Sequence, residues 1–538
     1  MRDRRHKTRL VIVVWLVLLV IGQVGGADTE PRQVVNRLDA FPGASPFTRV
    51  GVQRIRIEIT PKNLEHLRRK TRQFVRAALS VDKGVYPDVA VHLKGATGSF
   101  RALDDKPSFT LDFSHFDEGR RFYGLRRIHL NNSVEDPSYL NEMLGSELFN
   151  AAGVPAPRVA HALVELNGRP LGLYVFKEGF TEDFLARHFR NIGGNLYEPD
   201  QGHDVDQSMK CVSAQMLRKD HTDLRGLAQA ALETDPTRRW SRLEQTLDVD
   251  RFLTFMALEV MIVHRDGYCL ARNNFRVYHD LDTGKMVFLP HGMDQLWGIT
   301  DLPWRPHMAG IVAKAILDTP EGIDRYRERF ATLFTNMFRT ESLTNRIDRF
   351  LQQVRPVLST GEFENIRQAT ARVADRMGQR QRDLSRQLSQ PELKPMIFND
   401  GVGYLDHWTA TDQANGGKMD RTTDADGHAA LHIVAGPDTS SSWRTKALIR
   451  PGRYRFEGRA RIAGVKPLPY GVHQGAGLRV AGQVRQSDNF TGDSSWRELR
   501  TGFQVAGAVQ EVEFICELRA RAGEAWFAID SLRVVQIR

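Results

Sequence analysis

Acidic and amide side chains recur at short intervals in "HRDGYCLARNNFRVYHDLDTGKMVFLPHGMDQLWG", which begins at residue 264. Asp266 ends a His-Arg-Asp triplet, and Asn273 and Asn274 follow it closely. Asp294 comes after a strand-like apolar run, where a rigid element can direct its carboxylate into a cleft. Phosphoryl transfer needs a carboxylate that orients a hydroxyl and oxygen ligands for a divalent metal. The spacing fits that chemistry, although a helix-end acid and a turn acid would give the same pattern.

Phosphoryl transfer also requires a cation on the phosphates of the nucleotide. Lys94 and Lys106 are the candidates. Lys94 directly precedes the turn "GATGS", whose backbone N–H groups could bind phosphate, so Ser99 at the end of this turn is a further candidate nucleotide-binding residue. A solvated lysine on a strand would suit either position.

A carboxylate on a nearby helix would hold that lysine in place. The stretch "DPSYLNEMLGSELFNAAG" predicts a helix that Asp136 caps and that ends at Gly153. Its leucines recur at helical spacing, and at roughly 100° per residue Glu147 lies about 20° from the centre of their stripe, whereas Glu142 lies about 160° away. A carboxylate on an apolar face is costly unless it is paired. We therefore predict that Glu147 pairs with the lysine and that Glu142 is exposed to solvent.

Several separated motifs resemble the CotH kinase family over about residues 50–390. They are "VHLKGATGSF…KPSFTLDF", "FYGLRRIHLNNSVEDPSYLNEML", "AAGVPAPRVAHALVELNGRPLGLYVFKEGF", "DGY…NNFRVYH" and "FLPHGMDQLWG", in the order of the family. The resemblance implies a minimal protein-kinase-like fold that binds ATP and Mg²⁺ or Mn²⁺ and phosphorylates serine or threonine on a protein.

Carried over residue by residue, the resemblance makes Asp266 the catalytic acid, Asn273 the metal-binding amide and Asp294 the metal-binding carboxylate. It also favours Lys106 over Lys94 as the phosphate lysine, because Lys106 matches the family's lysine after the glycine-rich turn. The sequence departs from the family in two ways. The acid and the amide are two residues further apart than usual, which leaves Asn274 as an alternative to Asn273. Gly292 replaces the first acid of the family's Asp-x-Asp, which affects the expected strength of metal binding.

The chain divides into four segments on composition and periodicity. Residues 1–27 combine a basic start with a run of 13 apolar residues, which predicts a signal peptide or an N-terminal anchor. Residues 28–48 are polar and predict a linker. Residues 49–395 mix strands and helices and form the kinase-like domain. Residues 396–538 hold short alternating strands between turns, which predicts an all-β sandwich. The fold class is therefore α+β followed by an all-β domain.

The last segment resembles the jelly-roll modules of carbohydrate-binding type that follow secreted catalytic domains. Trp408, Trp443, Trp496 and Trp526 lie among its turns and strands. Sugar rings stack on aromatic faces, so a glycan is a possible partner of this domain. Buried tryptophan is also common in sandwich cores, and we expect at least half of these side chains to be core residues.

Bulk composition excludes several other classes of protein. The formal net charge is +10, with much of the excess near the N-terminus, and no basic run with interleaved aromatics predicts nucleic-acid binding. Three widely spaced cysteines exclude a disulfide scaffold. The sequence thus predicts a kinase in the periplasm, in the medium or on the cell surface, bound to a membrane only if residues 1–27 are retained. The alternative is an inactive kinase-like protein that binds glycan or the cell envelope.

Overall fold

The computed structural model describes residues 45–48, 51–81, 84–96, 98–213, 221–390, 395–411, 417–423, 427–470, 473–482, 490–506 and 509–537. The predicted N-terminal signal or anchor and all but the end of the predicted linker lie outside these residues. No helix in the described ranges is long and apolar enough to span a membrane.

The N-terminal part of the chain forms a closed seven-stranded barrel in the order β1-β2-β3-β4-β5-β7-β6. All neighbouring strands are antiparallel except β1 and β6. The strands are β1 (Gln53–Glu58), β2 (Val75–Val81), β3 (Gly84–Lys94), β4 (Ser108–Asp112), β5 (Arg127–Asn131), β6 (Val159–Leu166) and β7 (Arg169–Glu178). The helices α1 (Ser45–Thr48), α2 (Pro61–Arg69) and α3 (Asn141–Ala151) accompany it.

Alternation along the strands separates an apolar interior from a polar outer row. Ile57, Leu93, Phe109, Leu130 and Phe176 belong to the apolar cluster that fills the barrel. Because successive side chains of a strand point to opposite faces, the residues between them face outward. One outward row crosses four strands in register, and it consists of His92, Thr110, His129 and Lys177.

The middle of the chain is mostly helical and encloses a four-stranded sheet in the order β11-β10-β8-β9. The strands are β8 (Leu196–Pro199), β9 (Met209–Cys211), β10 (Phe275–Asp280) and β11 (Lys285–Pro290). The helices are α4 (Glu182–His188), α5 (Thr222–Ala231), α6 (Pro236–Thr246), α7 (Val249–Met261), α8 (Tyr268–Ala271), α9 (Ile311–Leu317), α10 (Pro320–Asn336), α11 (Thr340–Val354) and α12 (Thr360–Ser389).

The long helix α12 joins this region to the end of α7. Ser359 and Glu362 form a capping box at its start, which satisfies backbone N–H groups that a helix leaves free. Its fully buried Arg380 donates hydrogen bonds to the carbonyls of Val260 and Met261, at the end of α7. A guanidinium there is favourable, because the last carbonyls of a helix lack partners and carry partial negative charge.

The C-terminal part is all-β, with antiparallel strands around its own apolar core. Its strands are β12 (Val402–Tyr404), β13 (Thr409–Thr411), β14 (Lys418–Thr423), β15 (Ala429–Val434), β16 (Thr439–Ile449), β17 (Gly452–Pro467), β18 (Gly475–Val480), β19 (Gly492–Val505), β20 (Gln510–Ala528) and β21 (Arg533–Ile537). The first half of β20 pairs with β16 and β18, and its second half pairs with β15 and β17. A strand that changes partners along its length connects two layers, as in a sandwich.

The tryptophans of this domain divide as the sequence predicts. Trp408 and Trp443 are buried in the core, whereas Trp496 and Trp526 are half-buried. Trp526 stacks on His432, with ring centroids 4.7 Å apart, and Arg461 lies 4.7 Å from the same indole. These two residues come from the strands on either side of β20, so they cover opposite faces of the indole. Sugar stacking on Trp526 would require one of them to move. Glycan binding by this domain stays a prediction.

The mixed helix and strand content and the β-sandwich confirm the coarse fold class. The kinase-like nature of residues 49–395, the jelly-roll topology and the domain boundaries stay predictions.

Candidate functional site

The loop after α7 carries Asp266, and a fully buried carboxylate on α7 holds this loop in place. Glu259, on α7, accepts hydrogen bonds from the backbone N–H groups of Tyr268 and Cys269, and its Oε1 lies 3.3 Å from Nδ1 of His264. Burial alone would lower the pKa of His264, but the Glu259 carboxylate raises it above its ordinary value. Nε2 of His264 in turn lies 3.2 Å from the carbonyl oxygen of Gly292. This buried chain therefore ties the Asp266 loop to the loop that carries Asp294.

Asp266 is held by the two amides that the sequence singles out. Nδ2 of Asn273 and Nδ2 of Asn274 both donate to its Oδ2, at 2.9 and 2.7 Å. Its Oδ1 is not used by either bond. The half-buried carboxylate is thereby oriented while one oxygen is left to accept a further proton or hydrogen bond.

Gly292 makes room for Asn274. Its φ is +54°, and a Cβ on this residue would lie 2.4 Å from Oδ1 of Asn274. A side chain at position 292 therefore cannot coexist with the present position of the Asn274 amide. Gly292 replaces the first acid of the family's motif, and the Asn274 amide occupies the space that a side chain at position 292 would take. This contact places Asn274, rather than Asn273, beside the segment that leads to Asp294.

Asp294 is influenced by two other carboxylates. Burial, together with the charges of Glu142 and Glu135, raises the pKa of Asp294 to about 7. Helix α3 sets its position, because Nδ2 of Asn141 donates to the carbonyl oxygen of Asp294 at 2.8 Å. Among the described residues, no group of three or more His, Cys, Asp or Glu side chains is arranged to hold a metal. A metal beside Asp294 would therefore use amide oxygens, phosphate oxygens and water, a set that Mg²⁺ accepts.

The buried lysine–carboxylate pair of the cleft is Lys177 with Glu142. Nζ of Lys177 lies 2.6 Å from Oε2 of Glu142, and the two side chains are 1% and 4% exposed. The ammonium also lies 3.4 Å from Nδ1 of His291. A pair removed from water in this way is costly to build and costly to break.

The prediction that Glu147 pairs with the phosphate lysine, and that Glu142 is exposed, is wrong. Glu147 pairs with Arg346 at 2.7 Å and is about half exposed. Helix α3 lies between the barrel and the helical region, so eight of its 11 positions are buried. The leucine stripe faces the helical core. The opposite face, which we expected to be solvated, meets the outward row of the barrel, where Glu142 contacts Lys177.

The assignment of Lys106 to this pair is also wrong. Its ammonium donates to the hydroxyl of Tyr139 at 2.6 Å and lies about 5 Å from the rings of Tyr139 and Tyr174. Burial lowers the pKa of Lys106 to about 8, and the charge of Glu362 on α12 acts most strongly in the opposite direction. Strand β4 begins only at Ser108, after a proline, so the alternation that places Thr110 in the outward row does not extend back to Lys106.

Lys94 lies in the cleft with Lys177. Its ammonium donates to Oδ1 of Asn131 at 2.7 Å, and burial together with the charge of Lys177 lowers the pKa of Lys94 to about 8. The charges of Glu142 and Asp294 act in the opposite direction. Glu142 contacts Lys177, and its neighbour Asn141 holds the backbone of Asp294, so these groups lie around one cleft.

The cleft contains cations from both halves of this region, Lys94 and Lys177 from the barrel and Arg276 from β10. Burial lowers the pKa of His129 and of His291 far below the ordinary value, and Lys94, Lys177 and Arg276 lower both further. Two neutral imidazoles therefore stand among three cations. Among the acids of the site, Glu142 pairs directly with Lys177, and the charges of Glu142 and Glu135 act on Asp294.

Ser99 lies in the turn that follows Lys94. Its hydroxyl accepts a hydrogen bond from the N–H of Ala96, and its carbonyl accepts one from Nδ2 of Asn132. The φ of Gly98 is +95°, and a Cβ there would lie 2.4 Å from Oε1 of Glu135, so the turn rests directly on that carboxylate. A role of Ser99 in nucleotide binding stays a prediction.

A cavity of about 200 Å³ lies where the barrel meets α4. Arg127, Phe180, Leu185, Leu196 and Val212 contribute to its lining. Phe180, on the cavity lining, contacts the ring of His291, and His291 contacts Lys177. The His291 ring therefore lies between the cavity and the Lys177–Glu142 pair.

Sequence reasoning missed Lys177 and misjudged Glu142. The signal was present in "GLYVFKEG", where two charged residues end an otherwise apolar strand. A charge is rarely buried unless it is paired, so a lysine at the end of a buried strand indicates a nearby carboxylate.

The comparisons with solved structures return carbohydrate-binding modules with low overall similarity. One is TmCBM61 in complex with β-1,4-galactotriose, with 12% identity, 27% of this chain and 100% of that chain covered, and a TM-score of 0.20. Another is the CBM22-1 xylan-binding domain from Paenibacillus barcinonensis Xyn10C, with 14% identity, 25% and 89% coverage and a TM-score of 0.17. TM-scores this low carry no conclusion about fold or ligand.

Curated relatives match about half of the chain. Inner spore coat protein H of Bacillus subtilis is 24% identical over 261 residues, which is 45% of this chain and 71% of the relative. Invasin CotH2 of Rhizopus delemar is 24% identical over 296 residues, or 49% of each chain, and Invasin CotH3 of the same organism is 23% identical over 299 residues. The chain thus spans about half the length of the two invasins. The family model described as CotH kinase protein matches residues 91–381, more than half of the chain, and the chain therefore belongs to this family.

Proposed function

We propose that this chain is a metal-dependent protein kinase of the CotH type that transfers the γ-phosphoryl group of ATP to serine or threonine. The buried Lys177–Glu142 pair carries the proposal, since it fixes a cation in the same cleft as Asp294. Phosphoryl transfer depends mainly on positioning and on charge stabilisation, and a lysine fixed by a carboxylate supplies both.

The arrangement of the two halves supports a minimal kinase-like fold for residues 49–395. A β-rich half carries Lys94 and Lys177, and a helical half carries Asp266. Strand β7 leads from the first half directly into α4 of the second, beside the 200 Å³ cavity. In this proposal the cavity receives the adenine base and the lysines receive the phosphates.

The residues around Asp294 fit Mg²⁺ or Mn²⁺. Burial, together with repulsion from Glu142 and Glu135, raises the pKa of Asp294, and a bound cation would offset both effects. The amide oxygen of Asn274, which lies beside Gly292, would supply a second hard ligand. When bound, the metal would neutralise charge on the phosphates of ATP. Asn273 then serves to orient Asp266.

Asp266 is proposed to accept the hydrogen bond of the acceptor hydroxyl. Its Oδ2 is held by two amides, which leaves Oδ1 for the substrate. A carboxylate held in one orientation positions the hydroxyl oxygen for attack and takes its proton as the new bond forms.

We place this activity outside the cytoplasm, on a secreted or surface protein. The support is the predicted signal or anchor and the names of the relatives, which are a spore coat protein and invasins. A glycan contact through the C-terminal domain is compatible with that location.

The experiment is incubation of the purified chain with ATP, Mn²⁺ and a serine-containing acceptor, followed by mass spectrometry. We expect phosphoserine or phosphothreonine that depends on the metal and is lost in Asp266→Asn. Absence of transfer together with absence of metal-dependent ATP binding would leave the inactive, envelope-binding alternative.

A further inference from the structure

A second cavity, of about 540 Å³, opens on the side of Asp294 that faces α12. Asp294 and Gln295 form one wall, and the segment that leads into α3, from Glu135 to Asn141, forms another. The wall contributed by α12 contains Ala369 and Val373 at its base. Through Asp294 the cavity communicates directly with the proposed transfer site.

Three arginines line this cavity: Arg265, Arg372 and Arg376. Arg372 and Arg376 are exposed and lie one turn apart on α12. Like charges at this spacing destabilise a helix. No hydrogen bond or ion pair of either guanidinium is found with another described residue, although Asp375 is their neighbour in sequence. An anionic group in the cavity would relieve this repulsion.

The acids on the lining bind neutral donors, and among the described residues none of them forms an ion pair with the three arginines. Asp136 is buried, and its carboxylate accepts hydrogen bonds from the N–H groups of Ser138 and Asn141. Glu135 accepts a hydrogen bond from Nε2 of Gln295, and Asp294 belongs to the proposed metal site.

Arg265 connects the cavity to the transfer site. It directly precedes Asp266, and its Nη2 donates to Oε1 of Gln295 at 2.5 Å. Gln295 then donates to Glu135, so one chain of hydrogen bonds spans the cavity beside Asp294. An acceptor segment that brings its hydroxyl to Asp266 would pass this basic rim.

We infer that the cavity binds the acceptor protein through acidic residues next to the serine or threonine that is phosphorylated. This inference rests on the proposed function, because it assigns the substrate class of the same site. Carboxylates of the acceptor would pair with Arg372 and Arg376, while the hydroxyl reaches Asp266.

The test uses two acceptor peptides of equal length, each with one serine, flanked either by glutamates or by lysines. With ATP and Mn²⁺ we expect kcat/KM of the wild-type chain to be roughly tenfold higher for the glutamate peptide, a difference that should shrink as salt is added. Arg372→Glu and Arg376→Glu should each lower or reverse the preference. Arg382→Glu is the matched control, since Arg382 is exposed on the same helix but does not line the cavity.

Binding without nucleotide separates this inference from the proposed function. Fluorescence anisotropy with labelled peptides in which alanine replaces the serine should show tighter binding of the glutamate peptide, weakened by Arg372→Glu but not by Arg382→Glu. If the chain binds the glutamate peptide in this way but transfers no phosphate, the proposed kinase activity is wrong, while the inference that the cavity binds an acidic protein segment stands. Transfer with no preference, with a lysine preference, or with a preference that Arg372→Glu leaves intact would overturn the inference alone.

Discussion

Replacing Glu142 by glutamine should destabilise the chain far more than the same change at Glu147. Lys177 is 1% exposed, and its ammonium also faces His291 and the charge of Lys94. Removing one partner of such a pair leaves an uncompensated buried charge, at a cost of ~3–5 kcal/mol. Glu147 forms a pair with Arg346 that is 47% and 21% exposed, and the loss there should be about 0–1 kcal/mol.

The two variants are matched, because both residues are glutamates on α3 and each has one cationic partner. Urea unfolding of the full chain, compared at a common m-value, gives the two differences in the free energy of unfolding. Nucleotide affinity measured on the same samples should fall for Glu142→Gln and stay near wild type for Glu147→Gln. Equal destabilisation by the two changes would refute the reasoning, since burial is what distinguishes the pairs.

Three further predictions concern the metal loop and the acid. Burial and neighbouring carboxylates raise the pKa of Asp294 to about 7, so without metal Asp294 should make the folded chain less stable as pH rises from about 4 through 7. Asp294→Asn should make this slope smaller in pH-dependent unfolding and remove metal-dependent ATP binding. Asp266→Asn should keep ATP affinity in calorimetry but lose phosphate transfer; a wild-type transfer rate would contradict the role of Asp266. Gly292→Asp restores the family's acid, yet it should weaken metal-dependent ATP binding because its Cβ would collide with Asn274, and stronger binding would show that the amide moves freely.

The local part of the site could be predicted from the sequence because its residues are close along the chain. Asp266 and the two asparagines lie on either side of the four-residue helix α8, so chain connectivity keeps them close together. Burial of Trp408 and Trp443 followed from a general property of sandwich cores. The mixed fold and the all-β C-terminal part followed from periodicity.

The long-range pair could not be predicted in the same way. Helical periodicity places Glu142 opposite the leucine stripe, but it does not say whether that face meets water or another part of the protein. Lys177 lies 35 residues from Glu142 along the chain. It is on β7, and only the closed barrel shows that this part of β7 packs against α3. Family position suggested Lys106, whereas strand register decides that Lys177 and Lys94 face the cleft.

The most direct test of the proposed site is the rate of phosphate transfer from ATP by the full chain with Mn²⁺, measured for wild type, Lys177→Met and Lys106→Met. Methionine is of similar length and carries no charge, so each change removes one ammonium. We predict that Lys177→Met lowers the rate to background, while Lys106→Met retains most of it in protein that is still folded by circular dichroism. Wild-type transfer by Lys177→Met, or loss of transfer in Lys106→Met alone, would contradict the assignment of the buried pair.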